Sequence, residues 1–78
     1  MRDPKRLDGF YDDMRRLHKR YFPDWRFGQL MSNFLGWVMG EKKRDIFFPE
    51  EEEMMQLFIE FTEQYSPFAE QDADVRVD

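Results

Sequence analysis

Apolar residues recur along this chain in three blocks with helical spacing, and each block is bracketed by a proline or a short polar turn. In the first, Leu7, Phe10, Tyr11, Met14, Leu17, His18 and Tyr21 follow steps of three and four. On a helical wheel they span about 120°, the width of a core-facing stripe. Asp3 and Pro4 suit the cap and first turn of this helix. Its other face carries Asp8, Asp12 and Asp13 early and Arg15, Arg16, Lys19 and Arg20 late, the order that complements the helix dipole. Pro23 ends it, because a proline disfavours helical geometry at the residue before.

The second block is the most informative. Asp24 is the expected cap, and Phe27, Leu30, Met31, Phe34, Leu35, Trp37, Val38 and Met39 then cover about 200° of the wheel. The remainder is an uncharged strip of Gly28, Gln29, Ser32, Asn33 and Gly36, and Gly40 is placed for a left-handed C-terminal stop. Glu41 to Arg44 reads as a solvated connector. Asp45 to Phe48 reads as extended before Pro49, with one or two of Ile46, Phe47 and Phe48 plugging the core. The third helix starts at Pro49, has Glu50 to Glu53 at its positive dipole end, and turns Met54, Leu57, Phe58, Phe61 and Tyr65 inward. Ser66 and Pro67 close it.

These elements predict an all-α fold: a small three-helix bundle in residues 1–66, with helix 2 central and a short extended segment before helix 3. Residues 67–78 read as a disordered acidic tail.

Composition sharpens this picture in two ways. Nine Phe, three Tyr and two Trp in 78 residues compensate for small size, since each ring buries roughly 150–250 Å². Cysteine is absent, which excludes disulfides and thiolate metal sites. No apolar run approaches the roughly 20 residues of a membrane span, and no secretory signal follows the first basic residues, so a cytoplasmic location is expected. Charge is divided. Residues 1–48 hold eleven Lys/Arg and seven Asp/Glu, net +4, and residues 49–78 hold one Arg and ten Asp/Glu, net −9, which together make the overall −5.

Candidate chemistry is sparse. His18 is the lone histidine and has no serine or cysteine close by in sequence, so it reads as a packed or boundary residue. Four consecutive helical glutamates splay around the axis and make a poor cation site. Arg15, Arg16, Lys19, Arg20 and Arg26 form the basic cluster, with Tyr21, Phe22 and Trp25 alongside for stacking. Asp12, Asp13 and Asp24 flank it, and the chain is acidic overall, so nucleic acid is the secondary reading. The Gln29, Ser32, Asn33 and Gly36 strip admits two readings. It is either a close-packed seam or an uncharged docking surface anchored by Trp25, Arg26 and Trp37. No cofactor, metal or small-molecule ligand is indicated. The expected partner is a protein or a second copy, and no catalytic arrangement is present.

At Arg6-Leu7-Asp8, and again from Pro23 through Asp24, Trp25, Arg26, Phe27, Gly28 and Gln29 to Leu30, the chain resembles a group of short hypothetical proteins of bacteria and their phages. Their pattern is Arg-Ile/Leu-Asp/Asn followed by Pro-Asp-x-Arg-Phe/Leu-Gly-Gln-Leu, then an Asn (here Asn33) and an Asp-x-Phe-Phe/Tyr segment with acidic residues after it (here Asp45 to Phe48 and Glu50 to Glu53). More distantly the chain is similar to the YihD-like family of unknown function. The likeness spans about residues 2–65 and implies a small helical domain of bacterial or phage origin, without implying an activity. The longer acidic C-terminus departs from it.

Overall fold

The computed structural model describes residues 2–68, and the expected acidic tail lies outside the described residues apart from Pro67 and Phe68. Three helices follow in order: α1 (Arg6–Tyr21), α2 (Phe27–Gly40) and α3 (Glu51–Tyr65). Among the described residues there is no strand, and no helix is long and apolar enough to cross a membrane.

The core is a ladder of aromatic rings. Tyr21, Phe22, Leu30, Phe34, Trp37, Val38, Leu57, Phe58 and Phe61 are buried, with Thr62 the one buried polar side chain among the described residues. Thr62 spends its hydroxyl proton on the Ile59 carbonyl within its own helix at 2.6 Å, so its own donor does not enter the core unpaired. Phe34 meets Phe58 edge to face at 4.9 Å and Phe61 at 5.5 Å, which knits α2 to α3. Helix 2 was expected at the centre. It does supply four core side chains, but α3 is the helix whose backbone lies close to both others. The reason is that α2 buries only the Leu30, Phe34, Trp37 and Val38 stripe, while Phe27 and Met39 stay in solvent. On α1 only Tyr21 is fully buried, and Tyr11 of the expected inward stripe is exposed.

Helix boundaries differ from those expected because the caps are other residues. Asp3 Oδ1 accepts the Lys5 N–H at 2.9 Å, but regular helix begins only at Arg6. Asp24 lies in the turn, and Arg26 is the cap of α2. Its N–H donates to Gln29 Oε1 at 2.8 Å. At the far end Gly40 keeps ordinary helical geometry, and the left-handed residue is Lys43 (φ 55). Glu50 caps α3, so that helix starts after Pro49 rather than at it. Before it the chain bends at residues 46–48 instead of running extended. Ile46 packs against the core, whereas Phe47 and Phe48 point away from it.

Ion pairs join the helix starts. Arg6 meets Glu51 at 2.8 Å, Arg2 meets Glu50, and Arg44 meets Glu53. The glutamates that face the α3 dipole therefore also hold α1 and the connector. The Arg6 side chain, and then the helix's own backbone N–H, hold the Glu51 carboxyl below its ordinary value of 4.5. A carboxyl depressed in the folded state adds stability that is complete above the unfolded value and lost as pH falls through the folded one. Glu51→Gln is therefore expected to flatten the loss of melting temperature below about pH 4.5. Parallel wild-type and variant curves of Tm against pH would contradict this.

Candidate functional site

The turn between α1 and α2 sets the site. Phe22 is driven into the core, and Trp25 stacks on it with ring centroids 4.4 Å apart and planes 24° from parallel. Two bonds hold this turn. The Trp25 N–H donates to the Phe22 carbonyl at 3.1 Å, and His18 Nε2 lies 2.8 Å from the Trp25 carbonyl. A carbonyl only accepts, so His18 carries its proton on Nε2 and fastens the turn to α1. The lone histidine thus has a structural partner.

Trp25 is thereby aimed at the C-terminal half of α3. Phe61 lies 6.4 Å from Trp25, 5.4 Å from Trp37 and 5.1 Å from Tyr65 by ring centroid. Trp37 and Tyr65 meet edge to face at 6.3 Å. Between these rings runs an open groove of about 420 Å³, with Asn33 and Gly36 on the α2 side and Glu41 at one end. The Tyr65 hydroxyl donates to Glu41 Oε2 at 2.8 Å, and that carboxylate pushes the phenol above its ordinary value of 10.0, with burial adding to the effect. The Trp37 indole N–H is buried without a partner in hydrogen-bond geometry, although it lies near enough to Tyr65 to oppose that rise slightly. Lys42 sits 5.7 Å over the Trp37 ring while binding Glu60 at 2.7 Å.

Of the expected docking residues, the structure brings Trp25, Asn33 and Trp37 together in this groove. Arg26, Gln29 and Ser32 are exposed and do not line it, and Gln29 is engaged in capping α2. The close-packed reading of the strip does not stand. A methyl group added at Gly28 or Gly36 would meet nothing within 4 Å, so neither glycine admits a neighbouring backbone. Phe61 and Tyr65 read only as inward positions, and Glu41 only as connector. The sequence signal for their convergence is weak. Trp37 and Glu41 share a helical face at a spacing of four, but nothing local points α3 at them.

Arg15, Arg16, Lys19 and Arg20 line a shallow groove on the outer face of α1, with Asp12 among them, and Arg26 is not part of it. Arg16 pairs with Asp13 at 2.9 Å and Arg15 lies 3.5 Å from Asp12, so two of the cations carry carboxylate partners. Among the described residues no group of His, Cys, Asp and Glu is placed to hold a metal ion. Comparison with known proteins returns no matching family model, no similar curated protein and no similar solved structure.

Proposed function

We propose that the chain is a noncatalytic helical protein-interaction module of bacterial or phage origin, working in the cytoplasm, that receives a partner segment in the groove between Trp25 and Trp37. The observation that carries this reading is the groove itself. Aromatic walls, an amide from Asn33 and a glycine edge leave a trough open to solvent whose one charged lining residue, Glu41, accepts the Tyr65 hydroxyl proton, in a chain that is 37% charged. Tryptophan and tyrosine are the residue types that concentrate binding energy, and charge is depleted at interface centres. A partner residue entering the groove gains ring contacts and loses little, because the groove walls are already ordered by the core. Nucleic-acid binding through Arg15, Arg16, Lys19 and Arg20 is the weaker reading, since Asp12 and Asp13 offset part of that face.

Trp37→Ala is a poor test, because Trp37 is only 7% exposed and its loss removes core packing. Gly36→Arg separates binding from folding. A Cβ at Gly36 would meet nothing within 4 Å, the residue is exposed, and arginine is the better helix former by up to about 1 kcal/mol. Peptides selected from a random displayed library on the wild-type chain are expected to lose at least about tenfold in affinity for Gly36→Arg, or about 1.4 kcal/mol, while circular dichroism stays unchanged. Selection that yields no binders, or binders indifferent to Gly36→Arg and to Trp25→Ala, would defeat the reading.

A further inference from the structure

A second apolar place lies apart from the groove, and it combines a cleft with a knob. The cleft opens where α1 and α2 diverge over the start of α3. It holds about 240 Å³, and its lining includes Tyr11, Met14, Phe27, Met31, Leu35 and Met54. Phe27, at its edge, is 71% exposed. The knob is Phe47 and Phe48, at 81% and 77% exposed the barest large apolar side chains among the described residues. Their rings touch edge to face at 4.9 Å. Asp45 Oδ2 accepts both of their backbone N–H groups, at 3.1 and 2.7 Å, so a fastened turn presents the pair to solvent. The core does not use these rings, and their exposure works against a monomer.

Knob and cleft are neighbours. Phe48 precedes Glu51 by three residues, and Glu51 stands in the wall of the cleft. We infer that two copies of this chain pair about a two-fold axis, each inserting Phe47 and Phe48 into the other copy's cleft between α1 and α2.

Self-pairing covers both features at once and closes, because adjacent knob and cleft are exchanged by a single two-fold operation. A foreign partner shaped for the cleft would leave the phenylalanines bare, and one shaped for the phenylalanines would leave the cleft empty. Charge permits the contact. Arg6 with Glu51 and Arg44 with Glu53 stand beside cleft and knob already matched, and the Asp45 carboxylate at the base of the knob is held by the two backbone N–H groups. Four inserted rings bring roughly 500–650 Å², and the walls they cover bring a similar area, which reaches the roughly 1,000 Å² that a specific interface needs. Chains of this size commonly draw stability from association.

The test is sedimentation equilibrium of the full chain up to about 1 mM, beside Phe47→Asp/Phe48→Asp and Phe27→Glu. The wild type is expected at twice its 9.7 kDa mass, and both variants at 9.7 kDa with unchanged helical circular dichroism. All three altered side chains are exposed, so folding does not confound the result. A wild type that stays at 9.7 kDa throughout, or a dimer that survives either variant, overturns the inference. Such a failure leaves the groove reading untouched, because Gly36 and Trp25 belong to neither the knob nor the cleft.

Discussion

Phe61→Ala is expected to lower the thermal midpoint by at least about 12 °C, or to abolish a cooperative transition altogether. Phe61 is the hub of the ring network. It contacts Phe22, Trp25, Phe34, Trp37, Phe58 and Tyr65, and is 2% exposed. Truncating a buried phenylalanine costs about 3–5 kcal/mol in lost transfer energy and residual cavity. The cost sits toward the high end here, because six rings from the α1–α2 turn, α2 and α3 border the void and cannot all collapse into it. A domain of this length has about 4–12 kcal/mol in total, so one substitution removes a third or more of it. Each 1 kcal/mol moves the midpoint by roughly 4–8 °C at this size. Thermal melts followed by circular dichroism decide the matter. A fall of less than about 5 °C would mean that Phe61 is not enclosed as described.

The second large effect is expected at Phe22→Ala, outside any helix. Phe22 is 1% exposed and fills the space between Trp25 and Phe61. Its loss costs about 3–5 kcal/mol for the cavity, with a further 0.5–1.5 kcal/mol for the broken stack on Trp25. The variant also has a local signature that a general loss of stability lacks. Trp25 depends on Phe22 for its position, whereas Trp37 is held independently by Phe34 and Phe61. In proton–nitrogen correlation spectra at low temperature, the Trp25 indole signal is expected to move to its unfolded position while that of Trp37 stays dispersed. Equal displacement of both signals would argue against a separate anchoring role for Phe22.

Periodicity made the three helices legible, because spacings of three and four in sets of seven, eight and five positions leave little room for a strand. Helix ends were less legible, since several side chains compete for each cap. Asp24 is the better intrinsic cap, yet Gln29 reaches the Arg26 N–H, and the turn needed to bury Phe22 delays the helix by two residues. Gly40 is likewise the better left-handed residue, but the chain reverses three residues later, at Lys43. Least legible was which apolar face finds cover. Phe27 and Phe34 look alike on a wheel, and only the placement of α3 decides that Phe34 meets Phe58 while Phe27 meets water. The same long-range placement makes the groove, since Phe61 and Tyr65 arrive beside Trp25 from some forty residues along the chain. Trp25, Asn33 and Trp37 were visible as a class of residue, but their convergence was not.

The claim on which the account depends is that α3 brings Phe61 and Tyr65 between two tryptophans twelve residues apart. A proton nuclear Overhauser spectrum of the wild-type chain tests it most directly. Cross-peaks are expected from the Phe61 ring to both the Trp25 and Trp37 indoles, and from Tyr65 to Trp37, matching centroid separations of 6.4, 5.4 and 6.3 Å. A well-dispersed spectrum in which Phe61 contacts neither indole, or only one, would contradict it.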